Sequence, residues 1–391
     1  MRALPLLLLL LTACGAPEAT RTYTSGDTTY VATGGPPTVL TLEEELVIGQ
    51  LDGPEEYMLG QVSEMAFDEQ GGVYIFEAQP PAIRYYDGEG TYVRTLGAVG
   101  SGPGEYQDVI LGMHVRGDGR LMIRDPRNAR LTLYNPDGTF SENWPVASGL
   151  FTSQALFVDE NDVAYLKIMT AVPERNRPWE IDLLRVLADG TLADTLKAPT
   201  IEGEPEESDG TYGTSKIWTL SATGAMVVGL NNTYSFHLRH PDGKVTVVSR
   251  DPERVRFLPE ERRAIEERNE WRRTYYGDNM TTEIPPVPDH KPFYRSMESD
   301  RDGRIWVRVY TEALEDPDFE PRPVDERTPP GSPFYELPTY DVFSPVGEYV
   351  GRVVFTRGAS LDHASGNIVW GYRTGDSGQP QVVRYRLGEG V

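Results

Sequence analysis

Twelve strand-and-turn segments of two alternating kinds predict an all-β fold, a six-bladed β-propeller of four-stranded antiparallel blades with one short helical insertion. The first kind sets a turn before a strand: "DEQGGVYIF" (68–76), "RGDGRLMIR" (116–124), "DENDVAYLK" (159–167), "SATGAMVVG" (221–229), "DRDGRIWVR" (300–308) and "DHASGNIVWG" (362–371). The second runs from strand into turn: "AIRYYDGEG" (82–90), "RLTLYNPDG" (130–138), "DLLRVLADG" (182–190), "SFHLRHPDG" (235–243), "TYDVFSPVG" (339–347) and "QVVRYRLGEG" (381–390). Most alternate apolar and polar residues, the period of a half-buried strand.

A less regular strand precedes each first-kind segment. Another follows several of the second kind, as in "TYVRTLG" (91–97) and "KVTVVSR" (244–250), which makes four strands per unit. The turns "NPDG" (135–138) and "HPDG" (240–243) suit tight reversals. Pro presets one dihedral, Asp bonds its own backbone and Gly takes the positive φ. The last unit stops at "VRYRLGEGV", where a fourth strand is due. The segment "VLTLEEELVIG" (39–49) is the candidate for that place, closing the ring from both ends and covering sheet edges that would otherwise seed aggregation.

Ahead of that strand the chain opens "MRALPLLLLLLTACGAPEAT". Arg2 and the apolar run from Leu4 to Leu11 read as a signal peptide over 1–13, too short to span a bilayer. "LTAC" (11–14) resembles the lipobox of bacterial lipoproteins. That resemblance implies cleavage before Cys14, acylation of Cys14 and anchoring to a membrane through its chains. Gly15 stands where an Asp would favour the inner membrane, so the outer membrane is expected. Residues 14–38, rich in Thr, Gly and Pro, read as a flexible tether, with folded sequence from 39 to 391.

Cys14 is the sole cysteine, which excludes an intramolecular disulfide and a thiolate metal site. The net charge of −23 repels phosphate backbones, so no nucleic-acid partner is expected; a soluble, monomeric body is.

Two stretches carry a closer resemblance. "GEGTYVRTLGAVGSGPGEYQDV" (88–109) and "IRDPRNARLTLYNPDG" (123–138) resemble the six-bladed β-propeller lipoproteins related to the NHL repeat. Gly90, Tyr92, Arg94, Gly97, Gly100, Gly102, Pro103, Gly104, Glu105 and Tyr106 match the first part of that pattern, and Asp125, Asn128 and Arg130 the second. The match is strong over the first two blades and regular but weaker over 152–391. It implies the fold and a binding or scaffold role. The Gly-rich run 96–106 then reads as the crossing from the rim of one blade to the axis of the next. No Lys lies within reach of its glycines, and it does not join a strand to a helix as a phosphate cradle does.

Four stretches exceed the repeat: 171–182, the acidic 200–214, 251–293 and the Pro-rich 311–336. Within the third, Pro259 followed by Glu260 and Glu261 opens a helix running to about Tyr275, with Ile265 and Trp271 as a thin apolar stripe. Insertions on repeat folds tend to gather on a binding face, and Trp271, Tyr275 and Tyr276 cluster here as a candidate interaction surface.

No nucleotide-binding, zinc-protease or nucleophile-elbow motif is present, and no metal or cofactor is expected. Candidate channel-mouth residues on the innermost strands are Glu64, His114, Gln154, Lys216, Arg295 and Glu298. Glu64, Lys216 and Arg295 are expected to share a ring at one mouth. Mixed charge of this kind suits a polar ligand better than a hard cation, which wants oxygen alone. The expected function is therefore non-catalytic binding of a small molecule or protein partner near the channel mouth and the 251–293 insertion. The alternative is a metal-dependent, lactonase-like propeller hydrolase or lyase acting in the channel.

Overall fold

The computed structural model describes residues 19–146, 156–171, 180–205, 210–277, 284–321 and 327–390. Over these the chain is a β-propeller of four-stranded antiparallel sheets that succeed one another in sequence. The first sheet is Val62–Phe67, Val73–Ala78, Pro81–Tyr86 and Tyr92–Leu96. The second is Met113–Val115, Leu121–Asp125, Arg130–Tyr134 and Phe140–Pro145. The third is Leu156–Val158, Ala164–Ala171, Glu180–Val186 and Leu192–Leu196. Lys216–Leu220, Met226–Leu230, Ser235–Arg239 and Val245–Arg250 make the fourth. The fifth comprises Tyr294–Ser299, Ile305–Val309, Thr339–Phe343 and Tyr349–Val354.

The last sheet draws on both ends of the chain. Ser360–Ser365, Ile368–Thr374 and Pro380–Gly390 are joined by the N-terminal strand Val39–Ile48, antiparallel to Pro380–Gly390 from Leu40↔Gly390 to Ile48↔Val382. That same strand touches the fifth sheet through a short parallel pairing, Arg352↔Val39 and Val353↔Leu40.

Apolar side chains fill the space between consecutive sheets. Phe76, Tyr106 and Leu121 pack between the first and second, Leu131 and Leu166 between the second and third, and Phe236 and Val307 between the fourth and fifth. Trp306 and Val383 join the fifth to the last, while Ile75, Trp370 and Val382 join the last back to the first. Second strands are therefore buried on both faces: every residue of Leu121–Asp125 is buried. Rim strands alternate or are largely exposed, as in Leu192–Leu196. The half-buried alternation expected from sequence holds at the rim and gives way to two-sided burial within each sheet.

The flexible-tether reading of 14–38 is corrected over 19–34, and 14–18 lie outside the described residues. Ala19–Ser25 and Thr28–Gly34 form a hairpin, and its second strand adds in parallel to Val245–Arg250, Thr28↔Val245 through Thr33↔Arg250. A Thr-rich segment with Tyr23 stacked on Tyr30 at 4.6 Å is a competent strand once a rim edge is there to pair with. The signal peptide and Cys14 lie outside the described residues.

The crossing at 96–106 is held by the partner half of its own motif. Arg130 donates to the carbonyls of Ser101, Gly102 and Glu105 at 3.2, 2.8 and 2.8 Å. Asn128 donates to the carbonyl of Gly100 at 2.9 Å. The Gly102 N–H donates to the Glu105 carboxylate at 2.6 Å, and a Cβ at Gly100 would lie 2.1 Å from that carboxylate, so any larger residue there would displace it from this bond.

Candidate functional site

In these sheets the turn from first to second strand lies at one face of the propeller. The second-to-third connection and the crossover to the next sheet lie at the other. The described parts of 200–214, 251–293 and 311–336 fall on that second face, while 172–179 of the connection 171–182 lie outside the described residues. The helix Pro259–Tyr276 forms there as expected, and Leu314–Glu315 pairs with Phe334–Tyr335 within the last insertion.

The helix is docked by charge rather than by its apolar stripe. Its buried residue is Glu261, which caps the Leu258 N–H at 3.2 Å and pairs with Lys291 at 2.7 Å. Lys291 is fully buried. Its ammonium also donates to Glu336 and to the Thr311 carbonyl, both at 3.0 Å, and faces the Phe257 ring at 5.2 Å. Glu336 in turn accepts from Arg295 at 2.7 Å and from the Thr311 N–H at 2.8 Å. Parts of two insertions, 251–293 and 311–336, are thus tied to one lysine, which sequence reading missed. A Lys inside "PDHKPF" carries no local signal of burial; its partners come from 30 residues before and 45 after.

Around this tie the insertions enclose a cavity of about 390 Å³ walled by Tyr212, Arg268, Arg272, Pro285, Arg295 and Tyr335 among others. Trp271 stacks on Tyr275 at 4.8 Å and Tyr275 meets Tyr276 edge-on at 4.9 Å, with both tyrosines exposed. These three aromatics cluster as expected but pack on one another beside the cavity, not within its wall.

The proposed ring of Glu64, Lys216 and Arg295 does not form. Lys216 is drawn to Glu204 at 2.6 Å and Arg295 to Glu336, carboxylates supplied by the insertions. Glu64 lies instead in the central channel, where a bulge between Val62 and Glu64 shifts its register. Gln154 lies outside the described residues.

The channel cavity is about 500 Å³ and collects Glu64, His114 and Glu298 together with Asp362, His363 and Arg301. Burial in the ring pushes the Glu64 carboxyl up to about 8, with Asp362 adding repulsion. Glu298 rises to about 7 through burial. Asp362 also rises to about 7 through burial and repulsion from Glu298. The Asp362 side chain is open to the channel, so channel water reaches it while protein encloses it at longer range. His114 is lowered to about 3, and His363 to about 4, chiefly by burial and then by Arg301. At neutral pH the lining thus holds neutral imidazoles and partly protonated carboxyls.

Arg301 bars the mouth opposite the insertions. Its N–H donates to Ala364 at 3.1 Å, and its guanidinium reaches the carbonyls of Phe67 at 3.2 Å and Val115 at 3.3 Å. Phe67 stacks on His363 at 5.0 Å at the same end. Among the described residues, no three His, Cys, Asp or Glu side chains are disposed to hold a metal ion, so the metal expected by the alternative reading finds no fitting donor set.

No family model matches this chain, and no curated protein does. Among solved structures it is similar to a member of the DUF4221 family from Bacteroides vulgatus, with TM-score 0.51, 12% identity, and 90% of this chain and 100% of that one covered. It is also similar to virginiamycin B lyase from Staphylococcus aureus, with TM-score 0.41, 10% identity, and 89% and 99% covered. A gluconolactonase from Xanthomonas campestris gives TM-score 0.38, 12% identity, and 84% and 87% covered. At these identities the likeness is one of fold. Among the described residues no helix is long and apolar enough to cross a membrane.

Proposed function

We propose that this chain is a non-catalytic binding propeller that takes its ligand in the cavity built by the insertions. The observation that carries this reading is the convergence of three insertions on one ordered, ion-paired cavity, assembled around Lys291 at one face. Neutral drift of surface loops does not call for a buried lysine with three anchors, because an unpaired buried charge is costly. The cavity volume also falls in the range of small-molecule sites.

The reading includes a closed ring of six blades, with the strand 39–48 as the outer strand of the last. Its support is the apolar packing of Trp370 and Val382 against Ile75 of the first sheet. It also includes display outside the cytoplasm on an acylated Cys14, most simply at the outer membrane.

Native mass spectrometry of protein purified from its own envelope tests the binding role. Ala264→Trp fills the cavity from the helix side, so it should abolish any co-purifying ligand while leaving the melting temperature unchanged. Retention of the ligand by that variant overturns the reading.

A second reading, channel hydrolysis or lyase chemistry, draws on the raised carboxyls of Glu64, Glu298 and Asp362, which suit general acid work near neutral pH. Elemental analysis together with calcium-dependent melting separates it: a stoichiometric metal would favour this second reading over the first.

A further inference from the structure

We infer that the insertion cavity selects a small molecule bearing an oxyanion, carboxylate or phosphate, on a flat or ring-shaped body. This rests on the reading of that cavity as the ligand site and names its chemistry.

Charge is the first argument. The whole chain carries −23, yet the cavity wall brings three guanidinium groups, Arg268, Arg272 and Arg295, against two carboxylates, Glu261 and Glu336, with Lys291 buried behind those carboxylates. Both carboxylates are already engaged by Lys291 and Arg295. An uncompensated positive site in so acidic a protein would draw a small anion out of a surface that otherwise repels it.

Unused donors are the second. The Arg272 side chain makes no hydrogen bond or ion pair among the described residues, though its backbone lies within the helix. Arg268 uses its Nε on the Pro330 carbonyl at 3.1 Å, which fixes the side chain and leaves its terminal nitrogens for a ligand. Arg295 has a buried Nε with no acceptor. Arg268 and Arg272 stand four residues apart, on one face of the helix, so their guanidinium forks can address one oxyanion from two sides.

Shape is the third. Tyr212, Tyr335, Pro285 and Pro286 wall the remainder with flat apolar surface. About 390 Å³ admits a ligand of one or two rings and excludes a folded partner.

Titration calorimetry of the full chain in detergent at low ionic strength tests this, with benzoate and phenyl phosphate as anionic probes. Phenol is the neutral match and benzylamine the cationic one. At least one anion is expected to bind about tenfold or more tightly than both phenol and benzylamine, and to weaken as salt rises. Whichever anion binds better identifies the oxyanion. Arg272→Gln and Arg268→Gln should each cost about tenfold in its affinity with no shift in melting, since both side chains are exposed.

Binding of phenol as tight as that of the anions, or no anion binding at about 10 mM, overturns the inference. The cavity reading itself survives that outcome if Ala264→Trp still abolishes the co-purifying ligand, and falls with it if the ligand is retained.

Discussion

Lys291 and Glu261 form a buried ion pair, Nζ to Oε1 at 2.7 Å, that fastens the helix Pro259–Tyr276 to the propeller. The lysine is fully enclosed and the glutamate nearly so, and Glu336 shares the ammonium at 3.0 Å. Charges in such a place hold only as a set, because each alone lacks water and depends on its partners for compensation.

Lys291→Met should therefore destabilise the insertions by about 3–5 kcal/mol, the cost of leaving a buried charge unpaired. Limited proteolysis is the direct readout. Cleavage should appear within 259–277 in the variant, while the sheets resist as before. Equal protection of the helix in both proteins would contradict the docking role.

The channel carboxyls predict a stability that falls as pH rises. Their folded pKa values, about 8 for Glu64 and about 7 for Glu298 and Asp362, lie above the ordinary carboxyl range near 4 that holds in the unfolded chain. The folded state thus binds more protons between those limits, and stability drops through the window from about pH 4 to 8. Glu64→Gln should raise the melting temperature at about pH 9 by a few degrees and leave it unchanged at about pH 4, below both values. A pH profile identical to that of the unmodified protein would count against the channel burial.

Removing residues 39–49 should destabilise the whole ring. The strand buries Leu40 and Ile48 between sheets and pairs with Pro380–Gly390 over its length. Those two side chains alone account for about 3–6 kcal/mol of apolar burial, apart from the ladder. Calorimetry should show a single, lowered transition, whereas an unchanged melt would mean the strand is an ornament.

Arg130→Lys tests the crossing at 96–106. Lysine keeps the charge but cannot fork onto three carbonyls at once. A loss of about 1–3 kcal/mol in urea unfolding is expected.

Cys14→Ser addresses the anchor. Without acyl chains, each worth about 0.8 kcal/mol per buried methylene, the protein should leave the membrane fraction for the soluble one. Continued membrane association would require another means of attachment.

The propeller was legible because its signals are local. Strand, turn and glycine choices such as "NPDG" act within a few residues, and the Glu105 and Arg130 motif halves lie close enough in sequence to be read together. The helix at 259 was legible for the same reason. The N-terminal hairpin was not. Residues 19–34 look like a linker until the rim edge of Val245–Arg250, more than 200 residues away, offers them a partner.

Composition and periodicity alone determined an acidic all-β propeller with an insertion-bearing repeat and a single cysteine. Tertiary structure alone decided which charges meet. Lys216 and Arg295 left the expected ring because insertion carboxylates took them, Glu204 from the loop just before Lys216 and Glu336 from an insertion 41 residues beyond Arg295. Asp362 joined Glu64 and Glu298 in the channel for a matching reason: inner strands from widely separated parts of the chain face one axis. Pairing across such separations depends on where the sheets bring side chains together, and one-dimensional spacing carries no record of it.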